Sequence, residues 1–212
     1  MTQEAKTATG APATLWDRTR RLASQEILET ALRLFTEQGY DETSMAQIAR
    51  EAGVSQRTLF RYFGTKEELL GSDQHRFGQV LMDTVGEQPA DADAWEVLRA
   101  GIAAMLALHD GRERALERFR LLHNTASLRA GYLEKWMRFQ ADLLPAVEAR
   151  ISTGTTNTRA NANAAGETSL RARAVLATVF ACLDTATMAW VDNGGEGDII
   201  DLYDACLAGV RG

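Results

Sequence analysis

Gln56, Arg57, Phe60 and Arg61 fall within one short stretch, QRTLFRY, and on a helix they share the side opposite Val54 and Leu59. Their chemistry is that of reading a duplex. A side-chain amide pairs with an adenine edge, a guanidinium with guanine or with phosphate, and an aromatic ring with a thymine methyl, all from a helix laid in the major groove. Lys66 follows the stretch, and Arg18, Arg20 and Arg21 precede it, where an arm reaches the backbone or a minor groove. Catalytic chemistry has no comparable foothold, because the chain shows no nucleophile with an adjacent base, no metal-ligand spacing and no phosphate-cradling glycine loop. No cofactor is implied.

Two short helices must position those side chains. Thr43 or Ser44 can N-cap the first, whose apolar positions Met45, Ile48, Ala49 and Ala52 recur at helical spacing. Gly53 then ends it, since glycine reaches positive φ without steric penalty, and Ser55 caps the second helix, Gln56 to about Phe63. Such hairpins also occur as plain structural corners, and it is the surrounding cations that favour the nucleic-acid reading. A preceding helix from Leu15 or Asp17 to about Gln38 carries Ile27, Ala31, Leu34 and Phe35 on one face and braces the hairpin. After Gly64, Thr65 caps a connecting helix through Leu69, Leu70, Phe77, Val80 and Leu81 that fades at Gly86 and Pro89. That helix is expected to act as a rigid lever between two units.

From about Arg21 to Leu70 the chain resembles the TetR family of bacterial one-component repressors, through AxxLFxxxGYxxTSMxxIAxxAGVSxxTLFRYFxxKEELL in Ala31 to Leu70. The motif covers roughly the first third of the chain. The resemblance implies an all-α fold: an N-terminal three-helix helix-turn-helix DNA-binding domain, residues 15–70, and a C-terminal helical ligand-binding and dimerisation domain, residues 71–212, after a flexible arm over residues 1–14. It implies a DNA-contacting set of Thr43, Ser44, Ser55, Gln56, Arg57, Thr58, Phe60, Arg61, Tyr62 and Lys66. Thr43 and Ser44 would touch phosphate at the start of the first hairpin helix, Gln56 and Arg57 would read bases, Arg61 would read a base or grip the backbone, and Tyr62 and Lys66 would hold phosphates. Phe60 departs from the tyrosine of many relatives, losing a hydroxyl that could bond phosphate. It is left to offer apolar contact to a base or to pack internally.

Beyond Pro89 the pattern stays helical. Ala94 to about Leu108 and Glu113 to Leu128 are amphipathic, and Tyr132 to Ile151 follows, with Pro145 expected to kink or split it. Thr153 to Gly166 has almost no large apolar residue and reads as a mobile loop. Leu170 to Val191 is the most apolar segment. A membrane span is disfavoured there, because Asp184 sits near its centre and the cleanly apolar length falls short of the ~20 residues that a bilayer needs. Ile199 to Val210 closes the chain, and two copies of these last two helices are expected to form a homodimer interface. Trp95, Met105, Phe119, Trp136, Phe139, Phe180 and Met188 are candidate walls for a small apolar ligand, with His123 and Asp184 as polar groups to orient it, although core packing explains each of them as well.

The composition fits. The chain has 212 residues, 45% of them hydrophobic, and a formal charge of -6 at pH 7; attraction to phosphate depends on the local field and not on that total. The two cysteines, Cys182 and Cys206, are far apart in sequence and in no zinc-ligand spacing, and are expected to stay reduced. Met1 to Thr14 lacks the charged start and apolar run of a signal peptide, so a cytoplasmic location is expected. The function that follows is a homodimeric repressor bound to a palindromic operator in double-stranded DNA and released by a ligand. The alternative is a constitutive DNA-binding regulator or activator with no small-molecule effector.

Overall fold

A computed structural model describes residues 15–71, 74–109, 111–153 and 162–212. The described residues are helical, with ten helices and no strand among them. The chain divides into two compact units, Met1–Leu69 and Leu70–Gly212. The residues 1–14 read as a flexible arm, and the side chains of Arg18, Arg20 and Arg21, lie outside the description.

The first unit holds α1 (Leu15–Gln38), α2 (Met45–Glu51), α3 (Gln56–Tyr62) and the start of α4 (Lys66–Gly71). Its core is the expected set: Ile27, Ala31, Leu34 and Phe35 from α1, Ile48 and Ala49 from α2, and Leu59 from α3 are all buried. The α3 helix ends one residue earlier than its apolar spacing suggests. Phe63 is extended (φ -140°, ψ 115°) and buried, because the backbone must leave the helix to turn that ring inward.

The second unit holds α5 (Gln74–Glu87), α6 (Ala94–Leu106), α7 (Arg112–Asn124), α8 (Ala126–Thr153), α9 (Ala162–Asp192) and α10 (Ile199–Arg211). Leu81, Leu98, Ile102, Leu143, Val147, Leu176, Val179, Leu183 and Tyr203 form its core. Several boundaries differ from expectation. The connecting helix is described as α4 and α5, with residues 72–73 between them outside the description. Glu113 to Leu128 is not one helix: Thr125 is extended (φ -109°, ψ 114°), its carbonyl accepts from Arg129 N at 2.8 Å to start α8, and Leu128 belongs to that new helix. Pro145 does not split α8. The carbonyl that its missing N–H would have bonded belongs to Ala141, an exposed residue, so water can satisfy it. The stretch expected as a mobile loop is helical from Ala162, where α9 starts, and residues 154–161 lie outside the description.

Helix α9 contains a segment, Gly166–Asp192, that is long and apolar enough to cross a bilayer by length and composition, more so than the sequence reading allowed. Its most apolar 18-residue stretch has mean hydropathy 1.7, and 50% of that stretch is buried within the fold. Asp184 in this helix is ion-paired with Arg129 of α8, which ties the segment into the helical unit.

Candidate nucleic-acid interface and inner cavity

The hairpin geometry is set by two serine caps and one glycine. Ser44 (φ -100°, ψ 153°) accepts from Gln47 N at 3.2 Å and opens α2. Gly53 then takes φ +66°, where a side chain is strained, and lets Val54 N reach Ala49 O at 2.9 Å. Ser55 opens α3 by accepting from Thr58 N at 3.0 Å, and the two hydroxyls lie 2.8 Å apart. Leu59 is wholly buried and fixes the rotation of α3. The remaining face is therefore turned to solvent: Gln56, Arg57, Phe60 and Arg61 are all exposed, Phe60 at 50%, so its ring does not pack internally. Tyr62 is half-buried with the Arg61 guanidinium 5.7 Å from its ring centroid, and Thr58 is engaged as the partner of the Ser55 cap.

Two of the expected phosphate contacts are otherwise occupied. Thr43 is 1% exposed, and its hydroxyl donates to Gly39 O at 2.8 Å and toward Leu34 O at 3.4 Å, so it locks the turn from inside while Ser44 does the capping. Lys66 is likewise turned inward. Its ammonium donates to Tyr40 O at 2.6 Å, Thr43 O at 3.0 Å and Asp41 O at 3.5 Å, which engages all three of its donors, and it sits 4.1 Å from the Tyr40 ring centroid. The Tyr40 hydroxyl donates to Glu67 Oε1 at 2.9 Å, and burial followed by that hydrogen bond pushes it well above the ordinary tyrosine range. This Tyr40–Lys66–Glu67 clasp was not anticipated. Its signal was present in the GY and KEELL ends of the motif, 26 residues apart.

The second unit encloses a cavity between α5, α6, α7, α8 and α9. Of the candidate ligand residues, Met105, Phe119, Trp136 and Phe139 line it, joined by Phe77, Leu122 and Leu183, which the sequence did not single out. The others lie elsewhere. Trp95 carries the Arg211 guanidinium 5.2 Å from its ring centroid, Phe180 is buried behind the wall with its ring 5.5 Å from that of Trp136, and Met188 is 44% exposed. Asp184 chelates Arg129 with both oxygens, and His123 sits between Thr187 (3.2 Å) and Arg129 (3.1 Å), held below the ordinary histidine range by burial first and Arg129 second. These two groups form a satisfied polar cluster beside the cavity, not part of its lining.

The lining's polar residues are His109, Arg118, Tyr132, Lys135 and Thr187. Lys135 is pushed down to about 8 by burial, then by the neighbouring Arg118 and Arg138 cations. The space open to the centre of a water-sized sphere is about 40 Å³, enough for very few waters at roughly 10–15 Å³ each. Phe139 is seated on Gly78 of α5, where an added Cβ would lie 2.6 Å from the ring's Cε1. Outside the cavity, Cys182 and Cys206 are free thiols that meet between α9 and α10 despite their distance in sequence. Burial and then the hydrogen bond to Cys206 push Cys182 up to about 11, a range in which a thiol resists oxidation. Among the described residues no group of His, Cys, Asp or Glu is placed to hold a metal.

Residues 27–72 match the family described as "Bacterial regulatory proteins, tetR family". The match falls on the first unit and the start of the second. The chain is 28% identical over 143 residues to the HTH-type transcriptional regulator TcmR of Streptomyces glaucescens, a match that covers 64% of this chain and 63% of TcmR. It is 49% identical over 45 residues to the HTH-type transcriptional regulator HbdR of Aromatoleum sp. (strain CIB), covering 21% of this chain and 20% of HbdR. The chain thus spans less than two thirds of the length of either relative. The all-α fold is shared with the transcriptional regulator FadR of Bacillus subtilis, solved in complex with stearoyl-CoA, at a TM-score of 0.56 and 23% identity over 87% of this chain and 95% of that one. The family and these relatives are regulators and not enzymes. The matched segment contains the whole α2–α3 hairpin and the Tyr40–Lys66–Glu67 clasp, whereas the cavity lies in sequence beyond it.

Proposed function

We propose that the chain is a homodimeric transcriptional repressor of the cytoplasm that grips a palindromic operator through α3 and releases it when a small molecule enters the helical unit. The observation that carries this reading is the outward set on α3, Gln56, Arg57, Phe60 and Arg61, held on a capped helix whose rotation Leu59 fixes. Residues 15–70 take the DNA-binding role and residues 71–212 the sensing and pairing roles. Ser44 and Ser55 place two helix N-termini where phosphates can approach, and Tyr62 borders the reading face.

A partner copy is supported by α9. Leu170, Ala174, Ala177, Ala181, Thr185 and Met188 recur at helical spacing, carry no charge and are all exposed. Ala208 and Val210 are exposed on α10. Two copies that cover these faces make a four-helix interface, and the resulting two-fold places the reading helices on half-sites roughly 34–36 Å apart. A ligand acts by favouring a dimer geometry that no longer fits the operator, which requires differential affinity for the two states. FadR, which shares the fold, was solved in complex with stearoyl-CoA, and this supports a small-molecule ligand for the chain. The tightness of the cavity favours the second reading, a regulator or activator with no effector.

The deciding experiment selects bound fragments from random duplex DNA and measures mass by light scattering. An inverted repeat bound by a dimer is expected. A single-chain species that ignores every duplex at low salt overturns the reading.

A further inference from the structure

We propose that Phe60 recognises the C5-methyl group of a pyrimidine in the major groove, so that operator binding depends on the methylation of one base and not only on its hydrogen-bonding edge. The inference rests on the DNA-binding role proposed above and names the feature of the operator that this ring reads.

Phe60 is 50% exposed on α3. Of the exposed large apolar side chains among the described residues, it is the one aromatic and the one carried by α2 or α3. Among the described residues no ring or cation is stacked on it, and the neighbouring Arg61 guanidinium lies over the Tyr62 ring instead. The wholly buried Leu59 and the Ser55 cap fix the rotation of the helix. The ring is therefore held outward on the same face as the exposed Gln56 and Arg57, one helical turn before it.

A phenyl ring has no hydrogen-bonding group to offer phosphate oxygens or the polar edges of the bases. The major groove presents one apolar group, the methyl on C5 of thymine. 5-Methylcytosine carries the same methyl on the same carbon. Gln56 and Arg57 supply the polar reading, and at about 1.5 Å of rise per residue the Phe60 backbone stands about 4.5–6 Å further along the helix axis. That span is roughly one to two base-pair steps at about 3.4 Å each, so the methyl belongs to a base next to those that Gln56 and Arg57 read. Ring and methyl in contact remove two apolar surfaces from water together, whereas uracil or unmethylated cytosine at that step leaves the ring without an apolar partner.

The test begins with the operator that the purified full chain selects from random duplex DNA. Each thymine of one half-site is replaced singly by uracil, which deletes the methyl and keeps the base pair, and anisotropy of labelled DNA compares the two. One thymine is expected at which uracil weakens binding about fourfold, the worth of one methyl group at about 0.8 kcal/mol. That ratio is expected to hold as salt is raised, while overall affinity falls. Cytosine at this step is expected to bind weakly and 5-methylcytosine to recover about the same fourfold. Phe60→Ala is expected to bind thymine and uracil operators alike, and both forms of cytosine alike, with an unchanged melting temperature; low salt keeps this weaker variant measurable. Phe60→Leu, which restores an apolar tip, is expected to prefer thymine again. A uracil penalty that survives in Phe60→Ala, or a step indifferent to cytosine methylation, overturns the proposal. An inverted repeat bound with no uracil-sensitive thymine overturns this inference alone and leaves the DNA-binding role standing. A chain that ignores every duplex overturns both.

Discussion

Lys66 and Lys135 are both half-buried lysines, one in each unit, and their surroundings are opposite. Lys66 is ringed by three carbonyl oxygens and the face of Tyr40, so its charge is met by dipoles and its work is to hold a turn. Lys135 lines a mostly apolar cavity, and burial, followed by the Arg118 and Arg138 charges, pushes it down to about 8. The same contrast separates the two functional regions. On α3 the cations Arg57 and Arg61 are exposed to solvent, while at the cavity Arg118 is buried and Lys135 half-buried. The direction of a cation relative to the core, not the count of cations, distinguishes the two kinds of site.

The comparison can be broken at several points. Replacing Arg57 and Arg61 together by alanine is expected to cost roughly 2–6 kcal/mol of operator affinity, twice the value of one good base contact, with little change in melting temperature; anisotropy against operator and scrambled DNA reads the effect. Asp184→Ala frees Arg129 beside the cavity and is expected to destabilise the second unit by about 2 kcal/mol, less than orphaning one partner of a fully buried pair, measured by denaturant titration. Lys66→Met sharpens the role of the clasp. It is expected to lower stability by about 1–2 kcal/mol, from the loss of two good hydrogen bonds, and to weaken all DNA sequences alike while leaving the salt dependence of binding unchanged. A lysine bound to phosphate would instead reduce the salt slope by about one. Ser55→Ala is the mildest, at about 1 kcal/mol for a lost N-cap, and a thermal melt resolves it.

What was legible in the sequence follows the range of the interactions involved. Ser55, Gly53 and Leu59 specify the α3 geometry within a few residues of one another, so cap, turn and buried stripe could be read directly. Thr43 could not be placed in the same way. Threonine and serine cap equally well on paper, and what separates Thr43 from Ser44 is its contact with Leu34 O and Gly39 O on the far side of the turn. Lys66 reads as a phosphate-holding residue for the same reason, since Tyr40 lies far away in sequence and close in space. In the second unit the apolar rhythm announced helices but passed unbroken through Thr125, which hid the boundary of α7 and α8. Met105, Phe119, Trp136 and Phe139 line the cavity, and wide aromatic and thioether side chains are the kind that mark such walls in a sequence. Lys135 was missed because a lone lysine on an amphipathic helix carries no mark of which way it points.

Gly78 sits under the Phe139 ring with no room for even one methyl group. Because that ring also walls the cavity, a Gly78→Ala change forces the aromatic aside and reshapes the chamber from behind, as an internal wedge. The α5 backbone and the cavity are therefore mechanically joined at a single hydrogen-for-carbon exchange, with no chain of relays between them.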